Sequence, residues 1–107
     1  MLVSRYPAGE ETVVVVDATR LDASVAHDFK SAVTEMIDNG HKTIVLDMHK
    51  VEFIDSSALG AIVGILKHMG KKGNFELAGL NRTVQKVFQL TRMTSVFTIR
   101  DRAPARG

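Results

Sequence analysis

Thr43 to Gly60 reads TIVLDMHKVEFIDSSALG, and this stretch decides the fold. Thr43-Ile44-Val45-Leu46-Asp47-Met48 is nearly continuous in apolar residues, the mark of a strand covered on both faces or lying centrally in a mixed sheet. Val51 to Gly60 leaves that strand and turns into a helix that begins near Ser57. Leu59, Ile62, Val63 and Leu66 recur at helical spacing and are expected to face inward. The helix ends in Lys67, His68, Gly70, Lys71 and Lys72, where cations favour the helix dipole. A core strand followed at once by a helix points to alternating β and α elements, hence parallel strands with right-handed crossovers.

Outward from this stretch the same alternation continues. Upstream, Val25, Phe29, Ala32, Val33, Met36 and Ile37 form one apolar face of a helix. Asp22 or Ser24 can cap its start, and Asn39-Gly40 supplies a left-handed stop. Before it, Thr12 to Asp17 is a β-branched run too short for a helix. Leu2 to Tyr6, ended by Pro7, suits an antiparallel edge neighbour. Downstream, Phe75, Leu77 and Leu80 suggest a strand, and Asn81 can cap a short helix carrying Val84, Val87, Phe88 and Thr91. Val96 to Ile99 extends the structure. The order is β-β-α-β-α-β-α: an α/β fold with a small, mixed, mostly parallel β-sheet and helices packed on one face. Residues 1–100 are expected to form the domain, and 101–107 a flexible C-terminal tail.

Composition limits what such a domain does. The 107 residues suffice for one core, with 45% hydrophobic and 24% charged residues. A net charge of +2 implies neither a general nucleic-acid field nor an acidic tail. There is no cysteine, so disulfides and thiolate metal sites are excluded. No apolar run approaches the roughly 18 residues of a membrane span, and Met1 to Glu10 does not read as a signal peptide. A cytoplasmic location is expected.

Asp55-Ser56-Ser57 places adjacent hydroxyls at a helix start, where free N–H groups and the dipole favour a phosphate, free or covalently attached. Simple capping is the commoner fate of such residues. The wider pattern is more specific. Asp55-Ser56-Ser57-Ala58-Leu59-Gly60, preceded by Phe53-Ile54, resembles the Asp-Ser-Ser/Thr-Gly-Leu-Gly signature of STAS-domain anti-sigma factor antagonists. Arg20-Leu21-Asp22 with Ala26 resembles that family's acidic loop, and the likeness runs from about Val13 to Ile99 by element order. The chain departs from the pattern at Ala58, where glycine is usual, and at Ala18-Thr19, where a glycine commonly precedes the acidic loop.

The resemblance implies a single STAS domain without enzymatic activity or cofactor. It implies phosphorylation of Ser56 by an anti-sigma factor with serine kinase activity, and reversal by a PP2C-like phosphatase. It further implies that Ser57, Ala58, Leu59 and Gly60, with the acidic Asp22 and Asp55, are partner-binding residues or neighbours of the phosphosite. An alternative client of the same module is a lipid-transport complex or a signalling enzyme.

Other chemistries fit less well. A serine hydrolase lacks its Gly-x-Ser-x-Gly elbow at Ser56. His27, His41, His49 and His68 show no metal-ligand spacing. Gly60 and Gly64 suggest close packing of helix on sheet. Gly70-Lys71-Lys72-Gly73 superficially matches a KH-type loop, whose lysines could contact nucleic acid, but a solvated helix end is the better reading because a strand follows. No Walker loop fits, so ATP belongs to a partner.

Overall fold

The computed structural model describes residues 2–106. β1 (Val3–Ala8) and β2 (Glu11–Val16) form an antiparallel hairpin, and a two-residue strand β3 (Arg20–Leu21) leads into α1 (Ala23–Asp38). β4 (Thr43–Asp47) and a second two-residue strand, β5 (Phe53–Ile54), lead into α2 (Ser56–Met69). β6 (Asn74–Ala78), α3 (Arg82–Leu90) and β7 (Ile99–Arg100) complete the chain. The main sheet has the order β1-β2-β4-β6-β7, with every pair after the hairpin parallel. β3 and β5 pair separately in parallel, with Arg20 opposite Phe53 and Leu21 opposite Ile54.

Thr43 to Asp47 is the central strand, as its apolar continuity requires. Ile44 and Leu46 point into the main core with Val14, Val16, Phe75 and Leu77, under the helices. Val45 points the other way and is sealed in a small second cluster with Val13 and Ala78, against which Tyr6, Val15 and Ala103 pack. The helices therefore occupy one face, and the opposite face keeps a narrow apolar strip crossed by polar groups. Arg100 on β7 hydrogen-bonds Glu76 on β6 at 2.8 Å and pairs with both carboxylate oxygens of Glu11 on β2. These bonds hold the Glu11 carboxyl below its ordinary range and raise the Arg100 guanidinium further. On the same face the Tyr6 hydroxyl donates to the Pro104 carbonyl at 2.6 Å.

Four local expectations need correction. Pro7 does not end the first strand but lies inside β1, opposite Thr12; an edge strand tolerates a residue without an N–H. Helix α2 starts at Ser56, one residue early, and its buried residues are Ala58, Ala61, Ile62, Ile65 and Met69. Leu59, Val63 and Leu66 are only half-buried. The alanines, isoleucines and Met69, rather than the leucines, make the buried face. Gly60 and Gly64 do not press α2 onto the sheet: Gly60 is exposed with open space around it, and a Cβ on Gly64 would meet the Lys30 side chain of α1 at 2.8 Å. Close backbone approach occurs instead at Gly73, where a Cβ would lie 1.9 Å from the Lys42 carbonyl oxygen.

Candidate functional site

Each parallel strand delivers its following helix to the same end of the sheet. There β3 and β5 run side by side, and the helices they feed begin side by side as well. Leu21 and Ile54 are buried beneath this small ribbon. By alternation Arg20, Asp22, Phe53 and Asp55 lie on its outer side.

Asp55 ties the two helix starts together. One carboxylate oxygen accepts from the Ala58 N–H at 2.9 Å, capping α2, and the other accepts from the Ala23 N–H at 3.0 Å, in the first turn of α1. Asp22 caps α1 itself, with one oxygen accepting from the Ser24 N–H at 3.0 Å and the Ser24 hydroxyl at 2.6 Å. These hydrogen bonds, with Arg20 nearby, hold the Asp22 carboxyl below the usual aspartate value. The structure thus brings Asp22 and Asp55 to one place from 33 positions apart.

Because Asp55 supplies the cap, Ser56 and Ser57 are released from that duty. Both are exposed at the first two positions of α2. Their N–H groups sit where a helix has no intrahelical acceptors. Ala58 is fully buried at the site of the family's glycine, so its methyl group is absorbed by the core. Leu59 is half-buried and Gly60 is exposed, one turn along the helix from Ser56.

Sequence reasoning missed two neighbours. The Arg20 guanidinium lies 4.3 Å from the centre of the Phe53 ring, and its Nε stands 3.7 Å from Asp22 Oδ2. Phe53 is 38% exposed, one of few large apolar side chains left in solvent. The exposed positions of a two-residue strand carry no period that would betray them. Lys71 and Lys72 are exposed in a 3₁₀ turn after α2, at the end of the helix opposite the serines.

Among the described residues no helix is long and apolar enough to cross a membrane, and no group of three or more His, Asp or Glu could hold a metal. His41, His49 and His68 instead pair with Thr12, Asp47 and Asp38.

Residues 7–103 match the family model described as the STAS domain. A Thermotoga maritima protein named as a candidate anti-sigma factor antagonist is 35% identical over 98 residues, covering 90% of this chain and 87% of its own. The crystal structure of a candidate anti-sigma factor antagonist from Thermotoga maritima superposes with a TM-score of 0.81 at 32% identity, over 92% of this chain and 86% of that one. The anti-sigma factor antagonist SpoIIAA in its unphosphorylated form gives a TM-score of 0.70 at 21% identity, covering 94% and 89% of the two chains. The Bacillus SpoIIAA structure in the phosphorylated form gives 0.67 at 21%, covering 91% and 89%.

Proposed function

This chain belongs to the STAS domain family, and from that premise we propose that it is an anti-sigma factor antagonist switched by phosphorylation of Ser56. In its unmodified form it binds an anti-sigma factor that is also a serine kinase. That kinase transfers the γ-phosphoryl group of ATP to the Ser56 Oγ: the new O–P bond forms as the bond to the departing ADP breaks, and the hydroxyl proton passes to a base of the kinase. A PP2C-like phosphatase resets the protein, and the exchange takes place in the cytoplasm. The role is one of binding, not of catalysis.

The observation that carries this reading is the division of labour at the start of α2. Asp55 caps the helix, so the adjacent Ser56 hydroxyl is exposed and free to react. A phosphate there adds about −1.5 to −2 charges to a surface that held a small neutral group. Inside this protein the helix dipole and the first-turn N–H groups offset that charge. A partner docked over Ser56, Ser57 and Gly60 has no such compensation and meets both bulk and the carboxylates of Asp22 and Asp55. The fold survives while the complex dissociates.

The test compares capture of partners from native extract, and then affinity for the kinase, using unmodified protein, protein phosphorylated by that kinase, and Ser56→Ala. Unmodified and Ser56→Ala protein are expected to bind alike, and phosphorylated protein at least about tenfold more weakly. Equal affinity of unmodified and phosphorylated protein refutes the switch, and phosphate found solely on Ser57 moves the acceptor by one residue. Capture of a lipid-transport complex or signalling enzyme would assign the module to another client. A salt-sensitive association with RNA lost in Lys71→Gln/Lys72→Gln would favour the basic turn instead.

A further inference from the structure

A phosphate at position 56 enters ground already occupied by two carboxylates, Asp22 and Asp55, with exposed Glu52 close by in sequence. Cations are scarce in the sequence that enters the two helices. Segments 18–29 and 51–66, which build both helix starts, contain a single lysine or arginine, Arg20. Its side chain is 63% exposed, and its guanidinium carbon lies 4.3 Å from the centre of the Phe53 ring, a cation–π contact that leaves its N–H groups free. Its contact with Asp22 is loose: the 3.7 Å separation is too long for a hydrogen bond, and Asp22 already commits one oxygen to Ser24. Arg20 is thus held near the site with its donors available.

The ribbon carries Arg20 on the strand that runs beside the one leading to Ser56. Arg20 pairs with Phe53 across the ribbon, and one step on, the hydrogen bond from the Ala23 N–H to Asp55 keeps the two chains adjacent where the helices start. Ser56 follows directly. The guanidinium already extends along this line as far as the Asp22 carboxylate. A tetrahedral phosphate on Ser56 Oγ would offer oxygens suited to a planar fork of donors.

We propose that Arg20 is the built-in counter-ion of a phosphate at position 56, exchanging its loose contact with Asp22 for the phosphate oxygens. The proposal rests on Ser56 as the acceptor and adds how the modified form is held. Arg20 is a positioning residue, not a catalytic one. Its shift also changes the outer surface, because the guanidinium is drawn away from the centre of Phe53 and the patch seen by a partner is altered beyond the phosphate itself.

The experiment installs phosphoserine at position 56 during translation, so no kinase is needed. Its second ionisation is followed by ³¹P NMR in the otherwise natural sequence, in Arg20→Gln, in Arg20→Lys, and in Lys71→Gln as a control for general charge. The phosphate is expected to ionise at least about 0.5 unit lower in the natural sequence than in Arg20→Gln, since a cation in contact favours the dianion. Arg20→Lys is expected to restore part of the shift, and the Lys71→Gln control to show none of the loss. Identical titration curves in the natural sequence and in Arg20→Gln overturn the counter-ion, as does an equal change in the Lys71→Gln control. The outcome is separable from that of the switch. A low titration of installed phosphate that depends on Arg20 supports the counter-ion even where no kinase modifies Ser56, and an Arg20-independent titration refutes it even where phosphorylation releases the partner.

Discussion

Replacing Asp55 with alanine removes two backbone hydrogen bonds at once, one at each helix start. Loss of a helix cap costs about 1 kcal/mol, and a carboxylate bond to a second exposed N–H is of similar size, so the expected total is about 2 kcal/mol. A chain of 107 residues unfolds with an entropy of about 0.22 kcal/mol/K, so the melting temperature should fall by about 9 °C. Asp55→Asn is the sharper variant. Its single amide oxygen can still cap α2 through the Ala58 N–H, but its NH2 group cannot accept from Ala23, so about half of the loss should remain. Differential scanning calorimetry gives both values, and amide exchange at Ala23 should accelerate in both variants. A melting temperature unchanged in Asp55→Asn would refute the second bond, and a loss in Asp55→Ala no greater than in Asp55→Asn would show that only one cap operates.

The glycines supply a paired prediction. Gly73→Ala should cost about 1–3 kcal/mol or more, because the added carbon collides with the Lys42 carbonyl, whereas Gly60→Ala on the open face of α2 should stabilise by up to about 1 kcal/mol; urea unfolding decides both. Acid sensitivity follows from Glu11, whose carboxyl is held low by Arg100. A group with a depressed folded value contributes stability that is present above the ordinary glutamate value and disappears as the pH falls through the lower folded one. The urea midpoint should therefore drop from about pH 5 downward, less steeply in Glu11→Gln, with Asp17 and Asp22 sustaining the remaining slope because their carboxyls are lowered too.

Where the sequence speaks locally, it speaks clearly. Asp22 and Asn81 accept from the N–H groups of Ser24 and Val84 as helix caps, and Gly40 carries a positive φ of 97° just after α1. The central strand, the edge hairpin and the three helices are all readable from period and punctuation. What escapes is set by contacts between distant segments. Asp55 looks like an ordinary cap in sequence; its second bond reaches a residue 32 positions away. The hydrophobic pattern places the inward face of α2 one step around the helix, because leucines outweigh alanines in it. In the structure α2 packs against both α1 and the sheet, and Ala58 and Ala61 are among the residues it buries. β3 and β5 have no period to detect, so the stacking of Arg20 on Phe53 leaves no trace in the sequence.

The Glu11–Arg100–Glu76 cluster bears on how the chain is made. Glu11 and Glu76 sit on β2 and β6, either side of the central strand, while their shared cation comes from β7, the last strand of the sheet to be made. Until then, a nascent sheet of β1, β2, β4 and β6 carries these two carboxylates without the cation they share. Arrival of β7 adds the missing strand and the shared cation in one step. Completion of the sheet is in this way coupled to neutralisation of its outer face.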